Sequence, residues 1–238
     1  MARTKRYQKA FELVDQAKRY ELDEGILLLK KTAGAKFDET VDLATRLGLD
    51  SRQADQNIRG TVALPHGTGR QVRVVVFAEG SAAQEAEEAG ADFVGVDELV
   101  EKITGGWFEF DSAIAHPSLV REIMPKLGRI LGPRGLMPNA KSGTVTEQVG
   151  DAVRDVKAGQ IEYRLEKESG VVHVLVGKIS FDDNQIKDNV NEVMSALIKA
   201  RPATAKGRYV KSIAISSTMG VGIRLEPSQF VVSEISLL

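Results

Sequence analysis

Cysteine is absent from the 238 residues, which excludes disulfides and thiolate metal sites. Histidine occurs three times, at His66, His116 and His173, too far apart to form a ligand-spaced cluster. No apolar run is long enough to span a bilayer. The N-terminus, MARTKRYQKAF, is basic but lacks the apolar stretch of a secretory signal. Enzyme signatures are missing as well: neither HExxH nor GxSxG occurs. GTGR at residues 67–70 precedes a strand instead of opening a helix, so it is not a dinucleotide fingerprint. NAKSG at residues 139–143 has the look of a phosphate loop, but Ala140 stands before Lys141 and no strand leads into it. Asp182 and Asp183 read as helix caps. The absences favour a soluble cytoplasmic protein with no cofactor, no metal site and no membrane partner.

Charge is nearly balanced in total, at −1, but not in distribution. Residues 68–159 hold 10 Lys/Arg against 14 Asp/Glu, while the rest of the chain holds 22 against 19. Clusters are more informative than totals. Lys199, Arg201, Lys206, Arg208, Lys211 and Arg224 fall in a stretch, Val193 to Leu225, without an acid. Arg3, Lys5, Arg6 and Lys9 precede the first acid, Glu12. Local basic stripes are the footprint of phosphate binding.

Hydrophobic content of 42% supports real cores, and the period of the pattern divides the chain. Tyr7, Phe11, Val14 and Ala17 recur at helical spacing. Asp23 can cap a second helix through Ile26, Leu27 and Leu29. From Phe37 to Leu49 the period becomes two, with Val41, Leu43 and Leu47 inward, as in a half-buried strand. Pro65, Gly67 and Gly69 mark a boundary. Beyond it, strands at 72–78, 92–96 and 110–115 alternate with helices at 81–89, 97–103, 118–124 and 146–157, the pattern of βαβ units in a three-layer domain. Strands follow at 161–164 and 171–179. A capping box at Asp182 and Gln185 opens a helix striped by Ile186, Val190, Val193, Leu197 and Ile198, and a last strand runs from Tyr209 to Met219. The strand after Phe37 has no hairpin neighbour, so it pairs with strands beyond Gly159. The expected fold class is therefore α/β with two domains. A discontinuous α/β sandwich is built from residues 1–67 and 160–238, and a Rossmann-like α/β/α domain, residues 68–159, is inserted in it. Glycines at both crossings permit hinge motion.

Two stretches carry the functional argument. On the last strand, Val210, Ser212, Ala214, Ser216 and Thr218 share a small, hydroxyl-bearing face, while Ile213, Ile215 and Met219 seal the core. Such a face lets a polynucleotide backbone come close. The second stretch is Gly128 to Val145, GRILGPRGLMPNAKSGTV. Its glycines and prolines forbid a continuous helix, Arg129, Arg134 and Lys141 make it basic, and Ile130, Leu131, Leu136 and Met137 tie it to a core. It either grips RNA or covers the inserted domain, with its arginines paired to that domain's acids.

These residues carry a resemblance. GxxxGPRGLMPNxKxGTV is similar to the signature of the ribosomal protein L-one family, the stalk proteins of the large ribosomal subunit. KFDETVDLATRLGLDSRQADQNIRGTVALPHG (36–67) and SSTMG (216–220) resemble further family runs, in the family's order. The resemblance implies the same split architecture. It implies RNA contacts at Phe37, Thr40, Ser217, Thr218, Met219 and Gly220, and VVHVLVGKIS, which carries His173 and Lys178, also resembles a family run. Lys36 beside Phe37 and Ser212 on the small-residue face join this expected RNA site, and the basic loop with Arg129, Arg134 and Lys141 is read as a secondary contact. Many relatives have proline after the glycine of SSTMG, where this chain has Val221. The partners implied are large-subunit rRNA at the mobile stalk near the tRNA exit site, tRNA at that site, and the mRNA of the protein's own operon.

On the residues alone, blander readings stay open. Phe37 at a strand start is more often core, and His173 between Val172 and Val174 more often a hydrogen-bonded, partly buried imidazole. A nucleotide-dependent enzyme using the strand ends of the inserted domain, or a scaffold using the Leu-rich second helix and the tail FVVSEISLL, would fit the composition.

Overall fold

The computed structural model describes residues 4–50, 53–166 and 168–231, and leaves the side chains of residues 54, 141 and 231 undescribed. Its elements, in chain order, are α1 (Lys5–Glu12), α2 (Leu22–Thr32), β1 (Thr40–Leu47), β2 (Arg59–Ala63), β3 (Val74–Phe77), α3 (Ser81–Glu88), β4 (Phe93–Gly95), α4 (Asp97–Thr104) and β5 (Ser112–Ala115). There follow α5 (Pro117–Leu131), α6 (Val149–Ala158), β6 (Gln160–Arg164), β7 (Val171–Lys178), α7 (Asp183–Lys199), β8 (Val210–Ser217), β9 (Ile223–Leu225) and α8 (Ser228–Val231). The chain divides into two compact units, Met1–Gly69 with Ile161–Leu238, and Arg70–Gln160.

The first unit is built on a four-stranded sheet of order β7-β1-β8-β9. β1 is central and antiparallel to both β7 and β8, so residues 40–47 pair only with strands from the far end of the chain. One face of the sheet is apolar: Val41, Leu43 and Leu47 of β1, Val172, Val174 and Val176 of β7, and Ile213 and Ile215 of β8 are buried in one cluster. α2 and α7 supply Ile26, Leu29, Ile186, Val190, Val193 and Leu197 to that cluster. The i, i+4, i+7, i+11 spacing on α7 places its four on one helical face. Asp182 and Gln185 form the expected reciprocal capping box.

The second unit has a parallel sheet of order β4-β3-β5. The alternation of β3 serves two cores at once. Val75 and Phe77 pack with Leu99, Ile103, Ile123 and Leu127 of α4 and α5, and Val74 and Val76 with Ala86, Val149 and Val153 of α3 and α6. Three layers result. Gly159 ends α6 with φ 105°, a left-handed conformation that glycine adopts without strain.

Several expectations are corrected. α5 runs on through Pro125 and Gly128 to Leu131, where the glycines and prolines predicted a loop from Gly128. Burial decides this. A helical Pro and Gly together cost about 4 kcal/mol, whereas fully burying Ile123, Leu127 and Leu131 contributes roughly 1.5–3 kcal/mol each. Pro125 sits on the exposed side. Asp23 lies in the first turn of α2 and the N-cap position is Glu21. α1 ends at Glu12, short of Val14 and Ala17. β2 and β9, short strands in turn-rich sequence, were not anticipated.

The last strand differs from strict alternation at both ends. Arg46 pairs with Ser212 but Leu47 with Val210, so Lys211 is an extra residue in a β-bulge, and the parity beyond it reverses. Val210 is therefore buried, not on the small-residue face. At the other end β8 stops at Ser217, and Met219 is 52% exposed instead of sealing the core.

Candidate nucleic-acid interface

The face of the first unit's sheet turned away from α2 and α7 is mostly small or polar, with Val171 and Leu175 on the β7 edge. Its cross-strand rows follow from the register. Leu175, Asp42 and Ser216 stand side by side. His173, Ala44, Ala214 and Arg224 form the next row, and Val171, Arg46 and Ser212 the row after. Thr40 pairs with Lys178 at the opposite edge. There the Thr218 amide donates to the Thr40 carbonyl at 3.0 Å, and the Thr40 amide donates to Thr218 Oγ1 at 3.0 Å. Lys178 Nζ donates to Thr40 Oγ1 at 2.9 Å.

The edge is held by a residue that was not anticipated, Glu39. Its side chain is 2% exposed. Oε1 accepts from the amides of Ala35 (2.9 Å) and Gly34 (3.2 Å). Oε2 accepts from the Ser217 hydroxyl (2.8 Å) and the Met219 amide (2.9 Å). One carboxylate thus joins the loop before β1 to the tip after β8. Burial alone would raise its pKa, but the bonds from the Met219 and Ala35 amides, the Ser217 hydroxyl and the Gly34 amide outweigh that. They hold the carboxyl below its usual range. Nothing in the sequence marks Glu39, because its partners are local on one side and about 180 residues away on the other.

The anticipated residues are brought together unevenly. Lys36, Phe37, Thr218 and Met219 are exposed around this edge, with Phe37 57% and Met219 52% accessible. Ser212 and His173 are exposed on the sheet face, and His173 Nε2 lies 3.8 Å from Glu166 Oε1. Ser217, by contrast, points inward to Glu39. At Gly220 a side chain would collide with the Ser217 hydroxyl, so glycine there leaves that hydroxyl free to donate to Glu39. Val221 is buried. Asp42, also unanticipated, is the acid of the sheet face. Burial pushes its carboxyl up, with His173 and Lys178 acting in the opposite direction.

Cations on the two sides of this unit differ. Against the helices several are paired, Lys30 with Asp183, Lys187 with Asp23 and Lys18 with Glu24, although Lys31 and Lys199 form no ion pair among the described residues. Around the sheet face, Lys36, Arg46, Lys211 and Arg224 form no ion pair among the described residues. A solvated cation beside small hydroxylic side chains is what a phosphate backbone needs.

Of the three basic residues assigned to the second unit, Arg129 is exposed on α5, and Arg134 lies 3.5 Å above the centre of the Phe108 ring. Neither forms an ion pair among the described residues, so pairing with that unit's acids is not what holds the loop. Leu136 and Met137 tie it to the core instead. The side chain of Lys141, together with Arg3 and the tail beyond Val231, lies outside the described residues.

The sequence model of the Ribosomal protein L1p/L10e family matches residues 29–221. The chain belongs to this family. The match begins in α2 and ends just past the Thr218–Gly220 tip, so it spans both units and every strand except β9. The family consists of structural proteins of the large ribosomal subunit that bind rRNA, and it is not an enzyme class. Among the described residues, no helix is long and apolar enough to cross a membrane.

Proposed function

We propose that the polar sheet face of the first unit, with the edge formed by Lys36, Phe37, Thr40, Lys178, Thr218, Met219 and Gly220, binds large-subunit rRNA at the mobile stalk near the tRNA exit site. The observation that carries this is the grouping of ion-pair-free cations around a small, hydroxyl-bearing surface ending at an exposed Phe and Met. Lys36, Arg46 and Arg224 supply the salt-dependent attraction. Ser212, Thr40 and His173 offer hydrogen bonds to phosphate and ribose, and Phe37 offers a ring to an unstacked base. Asp42 accepts from a ribose 2′-hydroxyl, a donor that DNA lacks. Ser217 acts indirectly, through Glu39. The RNA-binding domain comprises residues 1–67 and 160–238, and residues 68–159 form an inserted domain whose Arg129, Arg134 and Lys141 make a secondary contact.

From this position at the exit site the protein assists release of deacylated tRNA. An mRNA that folds like the rRNA site would occupy the same face, so binding its own operon's message represses translation. The test is affinity for a stalk rRNA fragment. Thr218→Ala and Met219→Ala should each weaken it by about 1–3 kcal/mol, with Arg134→Ala costing less. Unchanged affinity in both tip variants would sink the site. A larger loss in Arg134→Ala would move the primary contact to the inserted domain.

A further inference from the structure

We infer that the basic edge of α1 is a further clamp on the phosphate backbone of the same RNA, continuous with the Thr218–Gly220 tip; this rests on the rRNA reading of that tip. α1 is amphipathic. Ala10 is buried, and Tyr7 and Phe11 pack against the core with their rings stacked 6.3 Å apart. Lys5, Arg6 and Lys9 fall on another edge at i, i+1 and i+4, with Lys5 and Lys9 exposed and Arg6 half-buried. None forms an ion pair among the described residues. Lys9 lies in the last turn, where the helix dipole favours a cation, but Lys5 and Arg6 are not placed for the helix's own benefit. The first turn contains no acid, and Lys5 and Arg6 stand where the helix dipole disfavours positive charge.

Arg6 connects this edge to the tip. Its Nη2 donates to the Met219 carbonyl at 3.4 Å, and its Cδ lies where a side chain at Gly34 would touch it, at 3.6 Å. Gly34 and Met219 are the two ends that Glu39 ties together. Arg6 therefore lies across the outside of the same junction. A guanidinium has five N–H donors in a planar fork, so one bond to a carbonyl leaves others for a phosphate. An RNA strand leaving the tip meets Arg6 first and then Lys9 and Lys5, one turn of helix carrying three positive charges.

The test compares salt dependence for the full chain, Lys9→Gln, the triple variant Lys5→Gln/Arg6→Gln/Lys9→Gln, Thr218→Ala and Met219→Ala, all with the stalk rRNA fragment. Each phosphate contact contributes about 0.7–0.9 to the log–log salt slope. The triple variant should lower the slope by about 2–3 and Lys9→Gln by about 0.7–0.9, with melting temperature little changed. Thr218→Ala should weaken binding with the slope kept. A triple variant and Lys9→Gln that both keep the full slope, while Thr218→Ala weakens binding, would overturn the clamp and leave the tip assignment standing. If Thr218→Ala and Met219→Ala, too, bind as the full chain does, the tip assignment fails and the clamp with it. Lys9 is exposed and makes no contact the fold needs, so its single variant decides the matter even if the triple variant folds poorly.

Discussion

Replacing Glu39 by glutamine keeps its size and removes its charge, and the geometry says why this should be costly. Four donors converge on two carboxylate oxygens. The amide oxygen of glutamine can serve one pair, and its NH2 group must face the other. Facing Gly34 and Ala35, it meets two N–H groups that cannot turn. Facing Ser217 and Met219, the hydroxyl can rotate and accept, but the Met219 N–H is left opposite another donor. At least one buried donor loses its partner, at about 1–3 kcal/mol, and the surviving bonds lose the strength that charge gives them. The expected loss is therefore ~2–3 kcal/mol, read as a lower urea midpoint at constant m-value. RNA affinity should fall too, because the tip and the Lys36–Phe37 loop are no longer held in register. The pH dependence follows from the depressed pKa. The bonds stabilise the fold above the unfolded carboxyl's pKa, about 4.3, and that stability is lost as pH falls through the lower folded value. Wild type and Glu39→Gln should thus converge in strong acid. A change below about 0.5 kcal/mol at neutral pH, with RNA affinity intact, would refute the reasoning.

Asp42 should behave in the opposite sense. Its pKa is raised by burial, so its contribution is favourable below the unfolded value, about 3.9, and is lost as pH rises through the folded one. Asp42→Asn should therefore be more stable than wild type at neutral pH and equal to it near pH 3, by urea unfolding; a loss of stability at neutral pH would contradict this. Gly128 is helical with open space where a Cβ would go, so Gly128→Ala should stabilise by up to about 1 kcal/mol. Destabilisation there would contradict the open space at Gly128. Arg134→Ala removes a cation over the Phe108 ring, worth roughly 0.5–1 kcal/mol at an exposed site, and thermal unfolding should show a loss no larger than that.

Much of the fold was legible because its signals are local and repeated. The alternation of Val41, Leu43 and Leu47, the capping box at Asp182 and Gln185, and the apolar stripe of α7 all read directly. The lack of a hairpin partner for β1 pointed to pairing across the whole chain. Where the sequence misled, tertiary burial or one-residue irregularities were responsible. α5 passes through Pro125 and Gly128 because Ile123, Leu127 and Leu131 are buried on its far side. The bulge at Lys211 reverses parity, which pattern alone cannot show. In the candidate interface, exposed Lys36, Phe37, Thr218 and Met219 were legible through the family resemblance, as were Thr40 and Lys178. Glu39 and Asp42 were not. Both are acids in a surface read for its cations, and what each does depends on partners that only folding brings near.

The most direct test of the account is a salt titration of binding to a stalk-derived rRNA fragment, with a scrambled RNA and ATP as controls. Tight binding to the stalk RNA, a log–log slope that reflects several phosphates, discrimination against the scramble and no response to ATP are the expected results. Equal affinity for both RNAs would contradict the account and leave only a generic basic surface. A clear response to ATP without RNA binding would contradict it in favour of a nucleotide-dependent protein.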